Sequence, residues 1–529
     1  MAEPLKPQSP GAGNREIERA VAELAADAQV NLGELSAEQR AYLEKHALKR
    51  PLGVLQIWAL GVGAVITGEY FGWNAGLETG GPMGMLLASL FVCTLYMCWV
   101  LALSELAVAM PFAGGPLAYG RAASGPALGF FMGWSMFLES LFATIGTAIA
   151  TGGAVYFLVN AVAGPTISKM VADLGLVPTG GDVAVTARLF VTTLAGLITV
   201  VLFAFVQWIG AKQQAKVMEW MTYGAILGLV WFWIAVIPGV DTSRLFTTPL
   251  LVNGWTGVMQ SIPYAIWFLV IIESVALAAE EAHEPHRTIP RGMVIAQITL
   301  VILVILTWFF IAAAGRDYHE TARVDVLYPL QFVYQQVWDR PEHLWHLALF
   351  ALIALCGMVS SYNGMLYAVS RQSFSLGRAG YLPRLLGHVH PTRRTPDVSI
   401  LFWSVVTAGF VAWGYWDESA LLNAVLTCNL TALIWYALAM VCLFVLRVKE
   451  PDMPRPYRVP WYPFLPAAVL VMSLFSALVY AMLQKPAVLW LTLSMYGVGL
   501  AYYFLWGAWH LVEAAPEELA ARAAADDAR

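Results

Sequence analysis

Charge is what this chain has least of. Only 12% of its 529 residues are charged, against about 25% in soluble domains. With 59% hydrophobic residues and a positive mean hydropathy, that shortage excludes a single soluble domain of this size. Cysteine is scarce too. Cys93, Cys98, Cys356, Cys428 and Cys442 all fall inside apolar runs, so they read as small core hydrophobes and not as a disulfide framework. Basic residues form no patch interleaved with aromatics, which argues against nucleic acid as a partner. The nine histidines keep to tails, loops and run ends, which argues against an intramembrane metal centre or a histidine proton relay. No nucleophile–base pair occurs in the apolar runs, so no enzyme and no cofactor is expected. The polar N-terminus lacks a basic–apolar–cleavage pattern, so no cleaved signal peptide is expected either.

What the chain has instead is long apolar runs. A spanning helix needs about 20 apolar residues, and twelve candidates follow one another. They cover approximately 53–77, 84–109, 127–161, 186–208, 216–238, 257–281, 292–314, 345–370, 398–415, 420–446, 463–483 and 487–510. The expected fold is an all-α polytopic membrane protein, and the lipid bilayer is its first partner. The third run is too long for one upright helix and should tilt or overhang. Basic residues crowd the flanks on the N-terminal side, among them Arg287, Arg291, Arg371, Arg378, Arg393, Arg394, Arg447, Arg455 and Arg458. The opposite flanks hold only Lys169, Arg188, Arg244, Arg316, Arg323, Arg340 and Lys485. That asymmetry predicts a multi-pass protein of the cytoplasmic membrane with both termini inside. Residues 1–50 form a cytoplasmic tail. Ile17, Val21, Leu24 and Ala25 have helical spacing, as do Leu35, Tyr42 and Leu43, so short amphipathic helices and a partly ordered tail are both open.

The stretch Leu60–Trp73 organises the rest. It is apolar enough for a membrane, yet it holds Gly61, Gly63, Gly68, Gly72 and the carboxylate of Glu69. Each glycine weakens a helix by about 1 kcal/mol relative to alanine. A charge at the bilayer centre costs roughly 2.5–3.5 kcal/mol on the lenient insertion scale. Carriers that break helices at the membrane midplane use such features to expose backbone to a solute. The sixth run supplies a matching candidate, Ile266–Val275, where β-branched Val270, Ile271 and Ile272 precede Glu273. Runs one and six are five apart. That spacing predicts two inverted five-span halves, 51–238 and 239–446, then two extra spans in 447–511 and a C-terminal tail, 512–529.

Four segments then carry a resemblance. The first runs from Ser104-Glu105-Leu106 through Met110-Pro111-Phe112-Ala113-Gly114-Gly115-Pro116 to Tyr119 and Arg121. The second is Glu280-Glu281-Ala282-His283-Glu284-Pro285-His286-Arg287-Thr288-Ile289-Pro290. The third runs from Ser370-Arg371 through Gly377-Arg378-Ala379-Gly380-Tyr381-Leu382-Pro383 to Thr395-Pro396. The fourth is Glu450-Pro451 with Arg455-Pro456-Tyr457-Arg458-Val459-Pro460. Together they resemble the amino acid–polyamine–organocation permeases over about residues 53–510. Within that family, Leu55–Gly63 and Thr67-Gly68-Glu69-Tyr70-Phe71-Gly72-Trp73-Asn74 are most similar to bacterial ethanolamine permeases. The resemblance implies the ten-helix inverted repeat of the sodium–leucine transporter type and a secondary carrier.

It also implies a site. Amino acid permeases usually show Gly-x-Gly-Ile-Phe at the break, whose bare amides receive the substrate carboxylate. Here Glu69 stands in for the second glycine, and an anion there repels a carboxylate and attracts an ammonium. Such a pair ~4 Å apart gains ~4 kcal/mol at an effective dielectric of 20. The candidate substrate contacts are Thr67, Gly68, Glu69, Tyr70, Glu139, Trp267, Leu269 and Ile271. Where the family usually has a glycine, Ile271 narrows the site and favours a small substrate. Trp267 aligns with a gating aromatic, and Phe268 joins it. Tyr70, Trp134, Trp267 and Phe268 form a candidate aromatic box for a cationic head. Glu273 aligns with a proton-sensing acid, while Ser360 and Ser361 are candidate sodium ligands or helix-packing residues. The coupling ion, H+ or Na+, stays open. So do Glu69 as a vestibule cap, Glu139 as a packed acid, and Glu219 as an interfacial charge. Glu105 is expected to be structural. The expected function is import of a small amine, ethanolamine first, with an amino acid permease or a transporter-fold sensor as alternatives.

Overall fold

The computed structural model describes residues 12–31, 33, 35–177, 182–323, 326–338, 344–414, 420–483 and 486–527. His343, Arg340, Lys485 and the side chain of Ile17 lie outside that description. Every long element among the described residues is helical, and the one β-contact is an isolated bridge between Leu52 and Ala282. The spans are Val54–Val65 with Thr67–Tyr70 (span 1), Gly76–Ala109 (2), Pro126–Asp173 (3), Val183–Ile209 (4), Ala211–Val236 (5) and Gly254–Ile266 with Ser274–Leu277 (6). Then come Pro285–Ala314 (7), Leu344–Arg378 (8), Asp397–Trp413 (9), Ala420–Lys449 (10), Phe464–Leu483 (11) and Pro486–Leu505 (12). Nine of these helices, among the described residues, are long and apolar enough to cross a membrane, and spans 1 and 9 are shorter apolar helices. Span 6 is broken. The chain is thus an all-α polytopic membrane protein.

Packing follows burial. Spans 2, 3, 8 and 10 are the most enclosed, while spans 4, 11 and 12 present Val201, Leu202, Val471, Leu474 and Leu493 outward. Apolar side chains on an outer face suit lipid, which is as apolar as they are.

Several boundaries differ from the sequence expectation, each for a local reason. Span 3 continues past Asn160 to Asp173, with non-helical backbone at Ala163 just before Pro165. Pro165 has no N–H to give the helix and its ring crowds the carbonyl four residues back, which kinks the overlong run away from one axis. Span 2 starts eight residues early, at Gly76, because the kink at Gly81 (φ 66°) and Pro82 lets a preceding helical piece join it. Span 8 runs on to Arg378, so the Ser370–Arg378 segment is helix and not loop. The first residue that ends it is Gly380 (φ 85°).

Both tails lie on the end of the bundle that holds the link after span 2. The N-terminal tail forms helices Ala12–Asp27 and Ala37–His46, the second closed by a capping box of Ser36 and Gln39. Val21, Leu24, Ala25, Leu35 and Leu43 are buried. The two tail helices thus pack their buried apolar residues inward.

Candidate functional site

Span 1 is less broken than its glycines suggested. The helix reaches Val65, pauses for one residue at Ile66, resumes for one turn, and ends where Phe71 is extended and Gly72 takes φ 87°. Gly61 and Gly63 stay helical and serve packing instead. A Cβ on Gly61 would lie 2.8 Å from Ala296 Cβ, and one on Gly63 would lie 2.4 Å from Thr222 Oγ1 and 2.5 Å from Ser360 Oγ. Small residues let helices approach this closely.

The break in span 6 is wider. Residues 267–273 are turns, and Ile271 has φ 77°. A β-branched residue in that region is a strained conformation, costing of order 1–3 kcal/mol. Its amide donates to Glu273 Oε1 at 3.0 Å, so the Glu273 side chain folds back and holds the turn. The two breaks meet at Gly68, where a Cβ would lie 2.4 Å from the Trp267 carbonyl oxygen. Ser361 ties span 8 to the same point: its hydroxyl donates to Gly63 O (2.8 Å) and accepts from Thr67 N (2.9 Å). The Thr67 hydroxyl turns to Met358 Sδ. Ser360 pairs with Thr222 across 3.3 Å.

Three carboxyl groups are buried around these breaks. Glu69 is fully enclosed, near Cys93 of span 2 and facing Thr307 of span 7, yet neither of its oxygens makes a hydrogen bond. Glu139 and Glu273 stand side by side. Glu273 accepts from Tyr436 Oη (2.5 Å) and Trp99 Nε1 (3.4 Å), and Glu139 Oε2 accepts from Trp435 Nε1 (2.5 Å). Span 10 therefore supplies neighbouring residues that grip acids on two different spans. No lysine or arginine pairs with any of the three acids among the described residues.

The aromatic box does not form. Tyr70 donates to Ala225 O at 2.5 Å and lies against Gly357, away from the span 6 break. Trp134 stacks on Phe130, donates to Met495 O and packs on Gly499 of span 12. Trp267 meets Phe71 edge-on, and Phe268 packs on Trp73. Aromatics at helical spacing packed as core here, and only Trp267, with its Nε1 unpartnered, stays at the junction of the breaks. Leu269 and Ile271 are fully buried in the span 6 turn. Glu219 accepts from Gln56 Nε2 at 3.1 Å, near the bundle's end. Glu105 takes a bidentate Arg447 at 2.7 Å on each oxygen and accepts from Val459 N, a structural use of its charge.

A profile of amino acid permeases matches residues 52–501, which is nearly all of the chain beyond its tails. The chain belongs to that permease family. Among curated relatives, the permease is 29% identical over 471 residues to the branched-chain amino acid permease BcaP of Bacillus subtilis (strain 168), covering 88% of this chain and 94% of that one. It is 25% identical to the methylthioribose transporter of the same organism, covering 90% and 96%. It is also 25% identical to the human Asc-type amino acid transporter 1, covering 88% and 84%. The family and these relatives are transporters and not enzymes.

One feature of the permease was missed as a unit by reading its sequence. At the bundle end that carries both tails, Arg371 Nε donates to Glu281 (2.9 Å) and Arg378 forks onto both oxygens of Glu280 (2.7 and 2.8 Å). All four side chains are buried. The acidic pair and the two arginines appear in separate motifs, and only the extension of span 8 to Arg378 brings them together.

Proposed function

We propose that this permease is a secondary carrier of a small amine, with ethanolamine as the leading substrate, working by alternating access. The observation that carries the proposal is Glu69: an enclosed carboxyl group beside the meeting point of two broken helices, faced by the Thr307 hydroxyl and with no basic partner among the described residues. A buried acid without a partner is expensive. An ammonium group that entered beside it would supply both the missing charge and the missing donors.

In this reading Thr67, Gly68, Glu69, Leu269 and Ile271 line the substrate's place, and Trp267, with Phe268 behind it, closes over it. Glu139 and Glu273 form the coupling element, since two adjacent carboxylates with no basic partner repel each other and invite a single proton or cation between them. Ser360 and Ser361 are the alternative, sodium-binding, element. The carrier works in the cytoplasmic membrane with both tails inside, and its two halves are 51–238 and 239–446.

A second reading, an amino acid permease, is favoured by the likeness to branched-chain amino acid permeases. Uptake of labelled ethanolamine into proteoliposomes, with leucine, alanine and arginine as competitors, separates the two. Ethanolamine uptake that resists amino acids supports the amine carrier. Uptake of the amino acids themselves, with no ethanolamine uptake, supports the second reading.

A further inference from the structure

The last helix of the chain, Pro516–Asp527, does not trail into solvent. It inserts two adjacent carboxylates into the bundle. The Glu517 side chain is fully enclosed, where Oε1 accepts from Arg378 Nη2 at 2.6 Å and also from the Ser375 hydroxyl. Glu518 accepts from Arg121 Nε at 3.0 and 2.8 Å and from the Tyr381 hydroxyl at 2.9 Å. Val512 N donates to Ala379 O, which fixes the approach, and Gly380 leaves room for the His510 carbonyl, which a Cβ would meet at 2.2 Å. Two glutamates thus tie the chain end to three places: the link helix Gly115–Ser124 through Arg121, span 8 through Ser375 and Arg378, and the turn after span 8 through Tyr381. The N-terminal tail reaches the same point, since Tyr42 Oη donates to Arg378 O at 2.6 Å.

The charge count at this point is uneven. Arg378 is already paired on both oxygens of Glu280, whose Oε2 also accepts from Ala113 N. Glu517 therefore adds a second buried anion to one cation, and its Oε2 has no partner. A buried ion pair is close to neutral for stability once desolvation is counted. Glu517 is thus placed where losing it leaves Arg378 neutralised, and where leaving the bundle would return its own charge to water. A contact with those properties can be made and released, as a fixed structural pair cannot.

We propose that the C-terminal helix is a latch on the permease's gate, with Glu517 and Glu518 holding the tail-side end of spans 6 and 8 closed. The latch rests on the alternating-access reading. When it is seated, Glu280–Arg378 and Glu281–Arg371 cap the route from the breaks to the tail-side solution. When it withdraws, span 8 and the link helix lose their shared anchor and that route opens.

The test is side-specific labelling of a single cysteine. Leu277 is fully buried between the span 6 break and Glu280, so Leu277→Cys, with the five native cysteines replaced, reports on the route. The full-length carrier, its Glu517→Gln/Glu518→Gln version and a version ending at Val512 are placed in proteoliposomes and treated with a membrane-impermeant maleimide from either face. The expected result is labelling from the tail-bearing face at least fivefold faster in both latch variants, with no gain from the opposite face. Equal labelling of all three proteins would overturn the latch, as would a gain from both faces, which is general loosening. Should the double glutamine version fail to fold, the truncated version decides alone. Labelling needs no substrate, so a failed uptake experiment would sink the amine reading without touching this result.

Discussion

At the scale of single residues, the site is built from groups set against their own preferences. Ile271 holds a backbone conformation that suits glycine, in a turn pinned by the Glu273 carboxyl group. Replacing a large buried aliphatic by a very small residue usually costs 2–5 kcal/mol. Ile271→Gly should cost clearly less, because it releases strain of order 1–3 kcal/mol. It should also widen the site and raise uptake of bulkier amines relative to ethanolamine. Thermal melting and competition uptake check the two halves. A full-sized loss of stability would mean the turn is not strained. Glu69, by contrast, shows no tension in its backbone. Its tension is electrostatic, an enclosed carboxyl group faced by the Thr307 hydroxyl and by no basic residue among those described.

At the scale of elements, the contact between the two breaks depends on one missing side chain. Gly68→Ala would set a methyl group 2.4 Å from the Trp267 carbonyl oxygen. We expect loss of transport and a destabilisation of about 1–3 kcal/mol or more, as for overpacked cores. Gly497→Ala on span 12, which meets nothing within 4 Å, should leave both uptake and melting unchanged or slightly improved. Equal tolerance of both substitutions would mean that spans 1 and 6 do not depend on this contact. The number and order of the spans were legible because apolar length is local information. So was the general place of both breaks, since glycine and β-branched runs weaken helices wherever they stand. The roles of Gly61 and Gly63 were not legible, because a packing glycine and a helix-breaking glycine look alike until the neighbouring helix is known. The aromatic box failed for the same reason. Trp134 and Tyr70 point where spans 12 and 5 receive them, and no spacing within their own spans records that.

At the scale of the whole molecule, charges that the sequence scatters over 400 residues converge on the tail-bearing end. Arg121, Glu280, Glu281, Arg371, Arg378, Glu517 and Glu518 come from four separate stretches, and only folding brings them to one end. The N-terminal tail adds a pH balance to this end. Burial pushes the Asp27 carboxyl up to about 6 from 3.8, against the pull of Arg50, and pushes the His46 imidazole down to about 4 from 6.5. Asp27 holds its proton more tightly when docked, so its share of the tail's stability is full below about 3.8 and is lost as pH rises through 6. His46 is docked neutral, so its share is full above 6.5 and is lost as pH falls towards 4. Between these limits the two slopes oppose and largely cancel, each on the order of 1–3 kcal/mol. Asp27→Asn should therefore make tail docking weaken as pH falls from 6.5 to 4. His46→Gln should make it weaken as pH rises from 4 to 6. Limited proteolysis of residues 18–48 across pH reads both, and a flat profile in each variant would contradict the balance.

Whether Glu69 receives a cationic amine is tested most directly by calorimetry. Ethanolamine is titrated into the purified permease and into Glu69→Gln over a range of pH. The account predicts binding to the wild type and a loss of at least about tenfold in affinity, some 1.4 kcal/mol, in the variant. Ethanolamine bound as tightly by Glu69→Gln as by the wild type would contradict it.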